Sequence, residues 1–310
     1  MRQIRFHSYG GPEVLRLEEA PVPKPGPDDL LVRTGSIGVT LPAVRRVRGE
    51  GRPPLPGVLG GEIAGEVVAV GTRVTGFTVG DRVTSLTFTG SYADLVLAPA
   101  ALASRIPDHA SDVQAVALVR GGHLALALLA TAGPAATGSV LITGAASGAG
   151  HLAVQLAKRQ GISRVVAAVS SPAKAEFLRG LGADEVVTYG SADWGDPVDV
   201  VLDGVGGDLL PRALAAVAPG GRLLFFNSGG GTVPAFDLLA GAKSITGFTM
   251  ARFVDTRRDL YDRHHEHLWQ LHRDGGLRAV VHAEIPLTEA ATAHELIEAR
   301  ANLGKVVLRP

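Results

Sequence analysis

Apolar and polar positions alternate in short runs through the first hundred residues. "LLVRTGSIGV" (30–39), "EIAGEVVAVG" (62–71), "DRVTSLTF" (81–88) and "SYADLVLAP" (91–99) read as strands, cut apart by the Pro-, Gly- and Asp-rich "PVPKPGPDD" and "GRPPLPG". Several short strands at that spacing predict a partly closed β-barrel rather than a parallel sheet. The texture changes near residue 113. "DVQAVALVRGGHLALALLATA" is rich in Ala and Leu and predicts a helix in spite of its Gly pair. Near-continuous Val, Leu and Ile runs then alternate with helical ones: "SVLITG", "AGHLAVQLAKRQG", "RVVAAVS", "PAKAEFLRGLG", "EVVTY", "VDVVLDGVG", "LLPRALAAVAPGG" and "RLLFFNSGG". That βαβ alternation predicts a parallel sheet covered by helices on both faces. The closing "AEIPLTEAATAHELIEARANLGKVVLRP" reads as a helix and a strand, the strand returning to the barrel.

Composition adds exclusions. The 310 residues carry 30 basic and 30 acidic side chains, so no overall field draws the chain to nucleic acid or to an anionic membrane. With no cysteine, disulfides, thiolate catalysis and cysteine-ligated zinc are excluded. "MRQIRFHSYGG" lacks the apolar core of a signal peptide, and "AVALVRGGHLALALLA" is broken as a membrane span by Arg120, Gly121, Gly122 and His123. A cytoplasmic location is the expectation.

The first candidate chemistry lies in "LITGAASGAG" (141–150). A strand ends at Thr143, a helix opens near Gly150, and the turn between them points backbone N–H groups at an anion. Gly144, Gly148 and Gly150 let the backbone approach a pyrophosphate, Ala145, Ala146 and Ala149 keep the surface low, and Ser147 is counted with them in the cofactor loop. The bland alternative is an ordinary tight turn. NAD-specific sites place an acidic residue about 20 residues further on. Between His151 and Ala175 there is none; Ser170, Ser171 and Lys174 stand there instead. A carboxylate would repel a 2′-phosphate, whereas two hydroxyls and a cation can bind it, so NADPH is the expected cofactor. Ser171-Pro172 also reads as a helix cap, and both readings can hold together.

Along nearly its whole length the sequence resembles the zinc-independent, zeta-crystallin-like quinone oxidoreductases of the medium-chain dehydrogenase/reductase superfamily. "IRFHSYGGPEVLRLEEAPVPKPGP", "GEIAGEVVAVGTRVTGFTVGDRV", "GSYADLV", "GAASGAGHLAVQLAK", "LRGLGADEVVTY", "VDVVLDGVGG", "PGGRLL" and "GKVVL" carry the resemblance, in the family's order and spacing. It implies an α/β protein with a GroES-like partly closed β-barrel as catalytic domain (1–112 with 276–310) and a doubly wound Rossmann domain (113–275) for NADPH. A homodimer, and a small quinone or enone as substrate, are also implied. The positions of the superfamily's catalytic zinc ligands fall on Thr40, on Gly61 and near Val119, none a useful ligand, so no metal is expected. Reduction of a quinone or of an α,β-unsaturated carbonyl is what the resemblance then implies.

The sequence departs from the family where the acceptor would lie. Thr40 stands where Asn is usual, no Tyr follows in "RRVRGEGRPPLPG", and His123 replaces the usual Thr. The expectation is that His123 and Thr40 supply the missing polar groups, His123 donating to the carbonyl or protonating the α-carbon near neutral pH. The alternative for His123 is a structural, hydrogen-bonded histidine. By resemblance, Tyr189 lies near the adenosine 2′-phosphate, Asn227 and Ser228 beside the nicotinamide carboxamide, and Asn302 against the cofactor, with a helix C-cap as its bland alternative. Arg45, Arg46, Arg48 and Arg52 read first as a solvated basic face, with a grip on a phosphate-bearing coenzyme A or carrier-protein arm as the alternative. "DRHHEHLWQLH" reads as an amphipathic helix anchored by Leu268 and Trp269 rather than a metal site.

Two other classes compete with this reading. "TGAASGAG" also fits a short-chain dehydrogenase, but Tyr9, Tyr92, Tyr189 and Tyr261 are followed four residues on by Glu13, Val96, Asp193 and His265, never by the Lys that chemistry needs. A non-catalytic NADPH-binding sensor or structural protein with a decayed substrate site stays open.

Overall fold

The computed structural model describes residues 1–133, 138–226 and 229–310. The chain begins with β1 (Arg2–Phe6), β2 (Leu15–Glu19), β3 (Asp29–Gly38), α1 (Leu41–Val47), β4 (Gly57–Val58), β5 (Gly61–Val70), β6 (Arg82–Thr87), β7 (Leu95–Pro99) and β8 (Ala103–Arg105). It continues through α2 (Asp112–Ala132), β9 (Ser139–Thr143), α3 (Gly150–Arg159), β10 (Arg164–Val169), α4 (Ala175–Arg179), β11 (Glu185–Thr188), β12 (Val198–Asp203), α5 (Leu210–Ala215) and β13 (Val217–Phe225). It closes with α6 (Ala235–Ala240), β14 (Ser244–Gly247), α7 (Met250–Thr256), α8 (Arg258–Arg273), β15 (Val281–Pro286), α9 (Ala290–Glu298) and β16 (Lys305–Arg309). Contacts divide it into two compact units, Met1–Arg120 with Ala279–Pro310, and Gly121–Arg278.

The first unit is the barrel. Its main sheet runs β15-β16-β3-β5-β6-β8, with β7 also paired to β3, and a smaller sheet runs β2-β1-β4. Pairing of β3 with β5 shifts register between Leu31 and Val32 and again between Thr34 and Ser36. Such irregularities sharpen the local twist and let a sheet curl. Leu30, Val32, Ile37, Ile63, Val67, Val83 and Leu308 fill the interior. The terminal strand does return: β16 pairs antiparallel with β3 through Val307–Gly38 and Leu308–Ile37.

The second unit holds a six-stranded sheet in the order β11-β10-β9-β12-β13-β14, parallel at every pairing. Strand order therefore reverses between β9 and β12, the switch point at which open α/β sheets bind their ligands. Val140, Leu141, Val165, Val166, Val200 and Val201 are all but fully buried, as strands covered on both faces must be.

Two expectations need correction around α2. The units divide after Arg120 and after Arg278 rather than after residues 112 and 275. The composition shift near 113 marks where the helix starts, and the helix runs unbroken across the border. For the same reason Arg120–His123 do not interrupt it as a span: its 21 residues are long and apolar enough to cross a membrane by length and composition, yet 72% of its 18-residue apolar window is buried inside the protein, as in a core helix.

Candidate active site

In the second unit the loop after β9 is shaped by backbone constraints. Gly144 adopts φ +62°. A Cβ on Gly150 would lie 2.2 Å from the Gly144 carbonyl oxygen, so only glycine fits there. Ser147 closes the turn: its N–H donates to the Gly144 carbonyl at 2.9 Å and its Oγ accepts from Gly150 N–H at 3.1 Å. Helix α3 starts behind Ala149, which contributes no side-chain cap. The helix dipole and first-turn N–H groups thus face the end of β9 without a protein carboxylate or hydroxyl on the capping residue.

The neighbouring strand ends converge on the same loop. Gly144 N–H donates to Tyr189 Oη at 2.8 Å, and Tyr189 N–H donates to the Val169 carbonyl at 2.8 Å, so the tyrosine ties the ends of β10 and β11 to the glycine turn. Ser170 is exposed and follows β10 directly. Ser171 accepts from Ala173 N–H at 3.3 Å and caps the single turn Pro172–Lys174, at whose end Lys174 sits half-buried. The cap reading of Ser171-Pro172 is thus what the geometry presents, and it leaves Ser170, Lys174 and Tyr189 at one corner of the sheet's C-terminal edge. Asn227 and Ser228 lie outside the described residues.

Helix α2 threads between this loop and α8. A Cβ on Gly121 would lie 2.7 Å from the Gly148 carbonyl oxygen, and one on Gly122 would lie 2.5 Å from Leu268. His123 follows, 2% exposed. It stacks on Tyr261 with ring centroids 4.1 Å apart and 21° between planes, and its Nε2 lies 3.1 Å from His265 Nδ1. Trp269 Nε1 in turn donates to His265 Nε2 at 3.0 Å. Burial, and then the neighbouring His265 and His264, hold His123 well below the ordinary histidine value. The depressed value favours the neutral imidazole over the imidazolium that would protonate an α-carbon. Its capacity as a hydrogen-bond donor stands. Sequence reasoning missed Tyr261, His265 and Trp269 as its partners; their spacing on one face of α8 was the available signal.

In the first unit, Thr40 precedes α1 as its N-cap, with Oγ1 accepting from Ala43 N–H at 3.4 Å. Capping uses a lone pair and leaves the hydroxyl hydrogen to donate. Gly61 has no side chain to offer and Val119 is a buried apolar residue, so these positions supply no metal ligand. Asn302 donates from Nδ2 to the Gly304 carbonyl at 2.8 Å, holding the turn into β16. It is not the cap of α9, whose end is marked by Arg300 at φ +51°. Arg48 is forked onto Glu298 through bonds of 2.7 and 2.8 Å, and Arg45 Nε lies 3.7 Å from Glu50, so the basic segment is partly neutralised. Two buried ionic residues went unread in the sequence. Lys305 on β16 pairs with Glu62 on β5, across Gly38 of β3, where a Cβ would lie 2.4 Å from Glu62 and 2.7 Å from Lys305.

Comparison with known proteins places this geometry. Residues 26–108 match the alcohol dehydrogenase GroES-like domain, and residues 181–308 match the zinc-binding dehydrogenase family. The quinone oxidoreductase of Pseudomonas aeruginosa is 36% identical, over 100% of this chain and 99% of its own. The chain belongs to the quinone oxidoreductase family of the medium-chain dehydrogenase/reductases. Within that family it is also similar to the 2-haloacrylate reductase of a Burkholderia species, 32% identical over 98% of both chains. The structure of the Escherichia coli quinone oxidoreductase complexed with NADPH superposes with a TM-score of 0.93, at 30% identity over 100% of both chains. The barrel and the parallel sheet of this family member are thus the GroES-like and Rossmann folds its sequence led us to expect.

Proposed function

We propose that this family member reduces a quinone or an α,β-unsaturated carbonyl with NADPH, by hydride transfer and without zinc. One observation carries the reading: at the switch point, a glycine turn leading into a helix adjoins a strand end furnished with Ser170, Ser171, Lys174 and Tyr189 and no carboxylate. Its relatives are named for reduction of quinones and of 2-haloacrylate, and the Escherichia coli relative is an NADPH complex.

The residues fit the cofactor. Gly144, Ala145, Ala146, Ser147, Gly148, Ala149 and Gly150 would line the pyrophosphate, donating to it through those backbone N–H groups that the turn does not itself use. Ser170, Ser171, Lys174 and Tyr189 would hold the 2′-phosphate through charge-assisted hydrogen bonds, and Asn302 is a further cofactor contact by family resemblance. NADPH, when bound, supplies the hydride. The chain's part is to hold the acceptor and to stabilise the negative charge that grows on its oxygen, the work assigned to Thr40 Oγ1–H and to a neutral His123 N–H.

Calorimetry with NADPH and NADH, followed by NADPH oxidation over a panel of quinones and enones, tests the reading. Preferential NADPH binding with consumption of at least one acceptor is expected. Binding without any turnover would favour a cofactor sensor, and absence of binding would end both.

A homodimer belongs to the same proposal. Strand β14 ends the parallel sheet with Ser244, Thr246 and Gly247 exposed, and on α6 nearby in sequence Phe236 and Leu239 are 71% and 76% exposed. A strand edge and exposed apolar side chains of this kind suit pairing with a second copy. A cytoplasmic location for a cysteine-free reductase is the last part of the proposal.

A further inference from the structure

We propose that Trp269 and His265 fix His123 as its Nδ1–H tautomer, leaving that N–H as the donor for the acceptor's carbonyl oxygen. The inference rests on the reductase reading and adds two positioning residues to it. It follows from counting protons along the chain of rings. An indole N–H can only donate, so His265 Nε2, 3.0 Å from Trp269 Nε1, must be bare. A neutral His265 then carries its proton on Nδ1 and donates to His123 Nε2, 3.1 Å away. His123 Nε2 is therefore an acceptor, and its single proton sits on Nδ1. Placing a second proton on either imidazole would set two donors face to face. The network thus specifies neutrality and tautomer together, in agreement with the depressed values of both histidines, His265 lying at about 4 through burial.

The atom left over is the informative one. His123 Nδ1 is buried and has no hydrogen-bond partner among the described residues. Buried N–H groups are ordinarily paired, so this one lacks an acceptor that a ligand can bring. The ring is not free to seek another: it is clamped against Tyr261 at 4.1 Å, and Gly122 brings α2 hard against Leu268 of α8. One residue further back, Gly121 abuts the turn that would hold the cofactor, at Gly148. During reduction, hydride adds to the β-carbon and the displaced π electrons move to the carbonyl oxygen. The Nδ1–H strengthens its hydrogen bond to that oxygen without giving up its proton, and water supplies the proton that completes the product.

The test is nitrogen-15 NMR on histidine-labelled protein loaded with NADP+, a state that cannot turn over. Long-range couplings should report His123 with Nδ1 protonated and Nε2 bare. Adding 2-cyclohexen-1-one should move the Nδ1 proton downfield. Trp269→Phe should give a mixture of tautomers and lower kcat about tenfold with KM little changed. His265→Asn, which keeps an N–H donor near the Nδ1 position, should preserve the tautomer that His265→Leu loses. A wild-type His123 protonated on Nε2 would overturn the proposal, as would an unchanged tautomer and kcat in Trp269→Phe, or a Nδ1 proton indifferent to the enone. Failure of the reductase reading would look different: no acceptor would be consumed while the tautomer spectrum stayed as described.

Discussion

A buried polar cluster in one unit and one in the other are built on different electrostatics. Beneath Gly38 of the barrel, the Lys305 ammonium lies against the Glu62 carboxylate, with Arg120 Nε 3.9 Å from that carboxylate's second oxygen. In the sheet unit, His123, His265 and Trp269 form a chain that carries no charge. Taking ions out of water is expensive and is offset only while both partners are present. A neutral chain costs less to bury but specifies which atom holds each hydrogen. The first cluster ties the returning strand β16 across β3 to β5. The second sets the direction of a donor. Loss of a member should therefore strand a charge in one unit and erase an orientation in the other.

The largest effect should come from acid. Burial holds His151, His265 and His294 at about 4, against about 6.5 in an unfolded chain. Folded values below unfolded ones mean that the unfolded state binds protons first as pH falls. The stability tied to these neutral histidines is complete above pH 6.5 and is lost progressively toward pH 4. At about 1.4 kcal/mol per pH unit per group, the three should remove on the order of 5 kcal/mol between pH 6.5 and 5. Urea titrations at the two pH values measure this, and a flat profile would mean the histidines are not buried neutral.

Next in size is Glu62→Gln. Removing one partner of a buried ion pair costs about 3–5 kcal/mol. Burial lowers Lys305 to about 7, below its unfolded value, so here the window lies on the alkaline side. From about pH 7 toward 10 the folded wild type releases a proton that the unfolded chain keeps, whereas the variant, whose buried lysine lacks the carboxylate, has released it at lower pH, so both then fold around a neutral lysine. The gap between variant and wild-type midpoints should narrow at pH 9. Combining it with Lys305→Met should recover much of the loss at pH 7; if the double variant is worse than the single, the pair is not what holds β16.

How much of this was legible differs between the clusters for a physical reason. The glycine turn could be read because its constraints are local: strand, turn and helix start all fall within residues 139–150. The absence of an acidic residue after β10 is likewise a statement about consecutive positions. His123 could be singled out only as a departure from a family pattern, because the histidine that orients it is 142 residues away in sequence. Glu62 and Lys305 lay inside quoted motifs, but only the pairing of β5, β3 and β16 brings them together. The unit border is not legible because composition follows secondary structure, and α2 is one helix on both sides of it.

Turnover gives the third contrast. His123→Ala should lower kcat by about 10²-fold, the usual loss for one oxyanion donor, while the dissociation constant for NADPH holds. Stopped-flow reduction of an acceptor identified in the panel measures the first, and calorimetry the second. Unchanged turnover would return His123 to a purely structural role.

Lys174→Ser should give the smallest change, and it tests the cofactor corner alone. The residue ends the Ser171-capped turn at the edge of the sheet, half-exposed, so its attraction for a 2′-phosphate is screened by water and salt. About tenfold weaker NADPH binding, equivalent to about 1.4 kcal/mol, is the expected loss, because Ser170 and Tyr189 remain. NADH has no phosphate at that position, so its affinity should not move, and the NADPH effect should shrink as salt is raised. Equal weakening of both cofactors would mean that Lys174 supports the fold of the corner instead of reading the phosphate, and the preference would then have to arise from Tyr189 and the serines.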